Sequence, residues 1–333
     1  MARITIKDLA RLLDLNPSTI SRALKDHPDI SIETRKKVQQ LAEELGYSPN
    51  FQAIHFRNRQ SGLIALIFPA IHMFFLPSII SAIEKKAREK GYNLLVLHSN
   101  DSFEKERENV NLCQQVGVDG IIASLASDTE SITHFKDVIK SGIPVVFFDR
   151  VNDSYDAPMV IIDDADTAFR AVSELTQKGR QKICGVFGAE KLPISQKRKE
   201  GYKNALKAAG LTYSEQLIIH TTDPFHARSA VFELLKSDIP PDGIFIMSDR
   251  LLLGVSQALH QARIKIPEDL SVISFSEGYI AKLFHPRISY LEHSGEQVGR
   301  AAVNLMFDII QGNDKPQNQK IFVPVNLVSL GSV

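Results

Sequence analysis

Apolar positions in the first 45 residues recur at the spacing of one helix face, and after residue 61 they gather into short continuous runs. Ile6, Leu9, Ala10 and Leu13 repeat at i, i+3, i+4, i+7, which predicts a first helix with one buried face. Thr5 can cap it through its hydroxyl, and Asp8 places negative charge near the positive helix end. The pattern breaks at Asp14, Leu15 and Asn16. Asn16 suits an N-cap and Pro17 the first helical position, where a missing N–H costs nothing, so a second helix starts there. Its Ile20, Ala23 and Leu24 point inward. A third helix follows Ser31, with Glu33 in its first turn and Val38, Leu41, Ala42 and Leu45 as its stripe. Gly46 supplies a left-handed stop, and Ser48-Pro49 forces an extended link.

From Ser61 the chain alternates strand and helix. Strands are predicted at Leu63–Phe68, Leu94–His98, Gly120–Leu125 and Val145–Phe148, with helices at Pro77–Lys90, Glu104–Val116 and Ser131–Lys140 between them. The alternation then repeats. Strands at Ile183–Phe187, Leu217–His220, Gly243–Met247 and Leu270–Phe275 alternate with helices near Gln196–Ala209, Ala227–Lys236 and Leu251–Ala262. Such alternation implies doubly wound parallel sheets covered by helices on both faces, hence an α/β body of two lobes. Two such units side by side create a cleft at the carboxyl ends of their strands, where ligands of open α/β folds bind.

Composition narrows the class without naming a function. A chain of 333 residues should hold two or three domains, and no apolar run approaches the ~20 residues of a membrane span. The start lacks the features of a signal peptide, so a cytoplasmic protein is expected. Cys113 and Cys184 fall in a helical and a strand-like stretch and suit small core residues in a reducing compartment. The net charge of zero hides an asymmetry: residues 1–60 carry ten Lys and Arg against seven Asp and Glu, and the rest carries 29 against 32. The sign suits an N-terminal polyanion binder on a body that does not bind polyanions.

Candidate chemistry lies on the second helix and at the strand ends. Pro17, Ser18, Ser21, Arg22 and Lys25 are left facing solvent. Hydroxyls and Lys reach phosphate, and Arg can bond guanine through two parallel hydrogen bonds, so this face suits a DNA groove. The same pattern also fits a plain three-helix domain with a solvated polar face. In the body, Phe74, Phe75, Asp149, Arg150, Asp163, Arg198, Asp249, Ser276 and Glu277 fall at strand ends. Carboxylates and Arg suit sugar hydroxyls because each engages two neighbouring partners. Asp163 and Asp249 equally suit helix caps, and Arg198 a pair with a surface carboxylate. The histidines show no metal-ligand spacing. A Gly-rich phosphate loop, a nucleophile elbow and paired catalytic carboxylates are all missing, so neither a cofactor nor an enzyme is expected.

Thr5-Ile6-Lys7-Asp8, Ala10, Ser18-Thr19-Ile20-Ser21-Arg22-Ala23-Leu24, the His27–Ser31 turn, Thr34-Arg35, Leu45-Gly46-Tyr47 and Pro49-Asn50 together resemble the lactose-repressor (LacI/GalR) family of bacterial transcription regulators. Body motifs extend the resemblance: Val160 to Asp164, Arg198 with Gly201-Tyr202, Ser248-Asp249, and Pro267 to Ile273. It implies a helix-turn-helix headpiece over 1–47, a hinge over 48–60, and a periplasmic-binding-protein-like body over 61–333. The first subdomain would take about 61–161 and 292–319, and the second about 162–291 and 320–333. By the same analogy the helix Glu292–Gln311 returns to the first subdomain, and the strand near Ile321–Leu327 finishes in the second.

The resemblance also assigns roles. Pro17, Ser18 and Arg22 would read bases in the major groove of double-stranded operator DNA, while Thr5, Ser21 and Lys25 sit against phosphates. In the hinge, Asn50, Ala53, Phe56 and Arg57 match DNA-contacting positions, with Phe56 as the minor-groove wedge where leucine is common and Ile54 where arginine is common. Phe74 and Phe75 would stack on a ligand ring, with polar contacts from Asp163, Arg198 and Asp249. Ser276 stands where many sugar-responsive members carry aspartate. The expected protein is a homodimeric repressor controlled by a small-molecule effector, with a sugar or sugar derivative as the expected class. A solute-binding protein and an α/β enzyme with a regulatory domain are the rival classes.

Overall fold

The computed structural model describes residues 4–47, 60–71, 74–152, 154–312 and 319–333. The chain divides into two compact units, Met1–Gly62 and Leu63–Val333.

In the first unit, α1 spans Ile6–Leu12, α2 Pro17–Ala23 and α3 Ile32–Glu44. Leu9, Ala10, Ile20, Ala23, Val38 and Ala42 form its core, so the helical stripes read from the sequence do meet. Thr5 makes a full capping box: its hydroxyl accepts from the Asp8 N–H, and the Asp8 carboxylate accepts from the Thr5 N–H at 3.0 Å. Asn16 takes the N-cap position of α2, but its side chain makes no capping bond. Leu45, expected on the α3 stripe, is exposed, because α3 ends at Glu44 and the chain turns away through Gly46 at φ 62°.

The second unit holds two six-stranded sheets. In the first lobe these elements run β1 Leu63–Phe68, α4 Leu76–Glu89, β2 Asn93–His98, α5 Phe103–Val116, β3 Gly120–Ala123, α6 Thr133–Lys140, β4 Val145–Phe148 and β5 Met159–Ile161. In the second lobe follow α7 Asp164–Gln177, β6 Ile183–Phe187, α8 Pro193–Ala208, β7 Ile218–His220, α9 Pro224–Leu235, β8 Gly243–Ile246, α10 Asp249–Gln261, β9 Ser271–Ser276, α11 Tyr279–Leu283 and β10 Ser289–Glu292. Helix α12, Gly295–Ile310, returns to the first lobe and packs on α4; β11 is Lys320–Phe322 and β12 Asn326–Val328.

The strand orders are β11-β5-β4-β3-β1-β2 and β12-β10-β9-β8-β6-β7. All paired strands are parallel except β10 with β12. The continuous apolar run of β1 is explained by burial on both faces. Ile64, Leu66 and Phe68 pack under α4, whereas Ala65 and Ile67 face α5 and α6. Helices α7 and α8 cross closely enough that a Cβ on Gly201 would lie 2.1 Å from the Ala165 carbonyl oxygen, so this position excludes a side chain.

The C-terminal strand differs from expectation. In place of one strand over Ile321–Leu327 ending the second lobe, Lys320–Phe322 pairs with β5 in the first sheet and only Asn326–Val328 joins the second. Pro324 lies between them and has no N–H for a ladder, so the run breaks there and the chain changes lobe. The boundary expected at 320 therefore moves to about 323–325. Three crossings connect the lobes: between Ile161 and Asp164, between Glu292 and Gly295, and between Phe322 and Asn326.

Candidate DNA-reading face and effector cleft

On α2, Ile20 and Ala23 are fully buried while Pro17, Ser18 and Arg22 are exposed and Ser21 is half-buried; Lys25, exposed as well, lies in the turn just past the helix. The Arg22 guanidinium stands 4.0 Å from the Asp29 carboxylate, beyond hydrogen-bond reach, and makes no hydrogen bond to the described residues. Its donors are available to an external acceptor. Thr5 is engaged instead: its hydroxyl donates to Asp8 Oδ2 at 2.7 Å, so a phosphate contact has to compete with the cap. Asn50, Ala53, Phe56 and Arg57 lie outside the described residues.

In the second unit a cavity of about 140 Å³ opens between the lobes at the carboxyl ends of the strands. It is far larger than one water site and has room for a small molecule. The structure brings Phe74, Phe75, Arg198, Asp249 and Ser276 to its wall, with Asp149 and Arg150 from the end of β4. Leu192, Ile194, Met247 and Phe275 make much of the wall apolar. A wall of this kind, with a few convergent polar groups, is what small-molecule sites show.

Arg198 is the most constrained of these groups. It is buried, its Nε donates to Asp164 Oδ1 at 2.7 Å, and its Nη1 donates to the Met247 carbonyl at 2.5 Å. The Phe275 ring lies 3.8 Å beneath the guanidinium carbon. Nη2 is left without a bond among the described residues and is the nitrogen to offer a ligand. Burial raises the pKa of Asp164, and the charge of Arg198 opposes that rise.

Asp163 requires a correction. Its carboxylate accepts the Asp166 N–H at 2.9 Å as the N-cap of α7, it is exposed, and it does not line the cavity. The neighbouring Asp164 turns inward to Arg198. Its position after a strand leaves both readings of Asp163 open, and cap geometry decides between them.

Asp249 accepts the Ser276 hydroxyl at 2.5 Å and the Glu277 N–H at 3.2 Å. Burial pushes its carboxyl up to about 6, against the pull of those two hydrogen bonds. It is not the cap of α10; Ser248 is, through the Leu251 N–H. Ser276 thus forms a polar unit with Asp249.

Four cavity groups are not singled out, or not given this role, by sequence. His293 lies on the second crossing with its ring 4.7 Å from that of Phe75 and its Nε2 3.8 Å from Asp149 Oδ1. Burial lowers His293 to about 4 and raises Asp149, so both lean to their neutral forms. Glu277 reaches from the second lobe to the first, accepting the Gly295 N–H at 3.3 Å and bonding Ser78. Arg250 lines the same cavity. Asp149 and Glu277 are marked in the sequence only by their strand-end positions, and His293 and Arg250 carry no local signal, since their roles depend on contacts between lobes or across the cleft.

Known proteins show the same two parts in the same order. Residues 5–50 match the family model described as bacterial regulatory proteins, lacI family, and residues 61–328 match periplasmic binding proteins and sugar binding domain of LacI family. Catabolite control protein A of Priestia megaterium is 30% identical over 305 residues, covering 91% of each chain. The HTH-type transcriptional repressor CytR of Escherichia coli K12 is 31% identical over 312 residues, covering 92% of this chain and 90% of that one. In fold, the lac repressor dimer bound to operator and the anti-inducer ONPF superposes with a TM-score of 0.88 at 20% identity, covering 99% of each chain. With a matching headpiece, a matching body and relatives aligned over nine-tenths of its length, this chain belongs to the LacI family of bacterial regulatory proteins, DNA-binding transcription regulators with a ligand-binding body.

Proposed function

We propose that the protein is a homodimeric repressor that reads a near-palindromic operator and is controlled by a sugar or sugar derivative held between its lobes. Pro17, Ser18 and Arg22 of α2 take the base-reading role, with Ser21 and Lys25 on phosphate. The placement of the cavity carries the reading: its wall includes His293, on one of the three crossings, and Arg198, tied to Asp164 beside another, so a ligand that bonds them biases the angle between the lobes. That change passes to the headpieces through the stretch connecting the two units, and operator must alter effector affinity by the same factor. The dimer is supported by the lac repressor dimer bound to operator, the repressor role by CytR, and the sugar by the description of the body family. No turnover is part of the function, and the site of action is the cytoplasm. Among the described residues no helix is long and apolar enough to cross a membrane.

Selection of binding sites from a random duplex library by the full-length protein tests the DNA arm. The expected product is a two-fold site with half-site centres about 10 base pairs apart. Enrichment of asymmetric sites, or of none, would sink it. Anisotropy titration of that duplex, with and without sugars, sugar acids and nucleosides, tests the effector arm. A panel that never changes operator affinity argues for a solute-independent regulator.

A further inference from the structure

The charged groups around the cleft are unequally matched. Arg198 has Asp164 at 2.7 Å, and Arg150 Nη1 has Asp101 at 3.0 Å. Arg250 has neither an ion pair nor a hydrogen bond among the described residues, and its Nε is buried with no partner. The Nε of Arg150 is in the same condition. Of the five buried side-chain polar atoms without a partner among the described residues, two thus belong to arginines lining this one cavity. They come from opposite lobes, since Arg150 follows β4 and Arg250 is the second residue of α10.

Arg250 is also misplaced for the stability of its own helix. The first turn of a helix carries partial positive charge, so a cation there is unfavourable and an anion favourable. A desolvated donor left unpaired adds a second cost. Both are relieved if a negative group enters the cavity beside it.

Among the described residues, the carboxyls nearby make no ion pair with Arg250. Asp249 is occupied by Ser276 and the Glu277 N–H, and burial pushes it up to about 6. Glu277 is turned to Gly295 and Ser78, and burial raises it as well. Asp149 is raised by burial against the charges of Arg150 and Arg198, and its Oδ1 faces His293 Nε2 at 3.8 Å.

We propose that the cleft ligand is a small anion, a sugar derivative bearing a carboxylate or phosphate, whose acidic group is gripped by Arg250 of the second lobe and Arg150 of the first. This rests on the reading of the cleft as the effector site and specifies its chemistry. The guanidinium forks match either acid, because each presents paired donors to paired oxygens. The sugar ring then lies against Phe74 and Phe75, with its hydroxyls toward Arg198 Nη2 and the Asp249–Ser276 unit. An acid bridged between lobes favours their approach, so closure accompanies binding.

The test uses matched probes: glucose, galactose, ribose and fructose, each beside its sugar acid and its phosphate, in thermal-shift and calorimetric titrations of the full-length protein. The tightest probe is expected to be anionic, and whether the acid or the phosphate wins identifies the source of the charge. Arg250→Gln should weaken that probe about tenfold or more, as loss of a charge-assisted pair does, and leave its neutral parent within about twofold. Arg250→Lys, which keeps the charge without the fork, should fall between. Binding of neutral sugars as tight as their anionic forms overturns the anion assignment and leaves the effector reading standing. Anion binding that Arg250→Gln does not change overturns it too. Absence of binding by every probe, neutral and anionic, refutes the sugar-effector reading and this proposal together.

Discussion

Replacing Asp249 with asparagine should stabilise the ligand-free protein at neutral pH. The carboxyl of Asp249 is raised from 3.8 to about 6 by burial. A carboxyl whose folded pKa lies above its unfolded one favours the folded state when protonated; that advantage is complete below about pH 4 and lost as pH rises through about 6. Above pH 6 the buried charge therefore costs about 3 kcal/mol at most, since each tenfold change in proton affinity is worth about 1.4 kcal/mol. Asparagine removes that cost. It keeps one acceptor for the Ser276 hydroxyl or the Glu277 N–H but turns an N–H toward the other, a loss of about 1 kcal/mol. A net gain of about 1–2 kcal/mol remains, or roughly 2–8 °C in Tm for a body of this size. Thermal unfolding of both proteins at pH 7.5 and pH 4.5 measures it. Asp249→Asn should melt higher at pH 7.5 and no higher than the parent at pH 4.5, where the parent's carboxyl is protonated when folded. A variant that is less stable at pH 7.5, or a difference independent of pH, would refute the burial argument.

Arg22→Ala should cost about 1–3 kcal/mol of operator affinity and relax preference at one base position, measured by competition shift assays; equal loss on all sequences would instead make Arg22 a phosphate contact. Arg198→Ala strands the Asp164 carboxylate in the interior and should destabilise the body by about 3–5 kcal/mol in urea unfolding, whereas a change under about 1 kcal/mol would mean that solvent reaches the pair. Thr5→Ala removes the hydroxyl of a complete capping box and should cost the headpiece about 0.5–2 kcal/mol by calorimetry, with no change in the melting of the body. Log operator affinity should fall steeply with log salt, and a flat dependence would contradict phosphate neutralisation as its source.

Legibility tracks how local the responsible physics is. Strands such as Leu63–Phe68, Val145–Phe148 and Ile183–Phe187 appear at the predicted residues, because two-sided burial demands a continuous apolar run. The short elements β5, α11 and β10 escape a reading by periodicity, and so does α7, whose Asp163 cap is visible although its length is not. Pro324 is a readable signal that Ile321–Leu327 is two strands, and the apolar run around it masks that signal. At the cleft, strand-end positions point to Phe74, Phe75, Asp249 and Ser276, whereas Arg198 is carried in by helix α8. The adjacent Asp163 and Asp164 cannot be told apart by sequence, since one residue of helix phase sends one to a cap and the other to Arg198.

By itself the amino-acid sequence determined the headpiece helices and their polar face, the two α/β lobes and the family. Periodicity, caps and motif spacing are short-range properties, carried by neighbours a few residues apart. Only the tertiary structure decided which charges are matched. Arg198 meets a carboxylate 34 residues away, Ser276 one 27 residues away, and Arg150 one 49 residues away, while Arg250 meets none among the described residues. Pairing and desolvation depend on what folding brings within a few ångströms, and that is where the chemistry of the cleft is set.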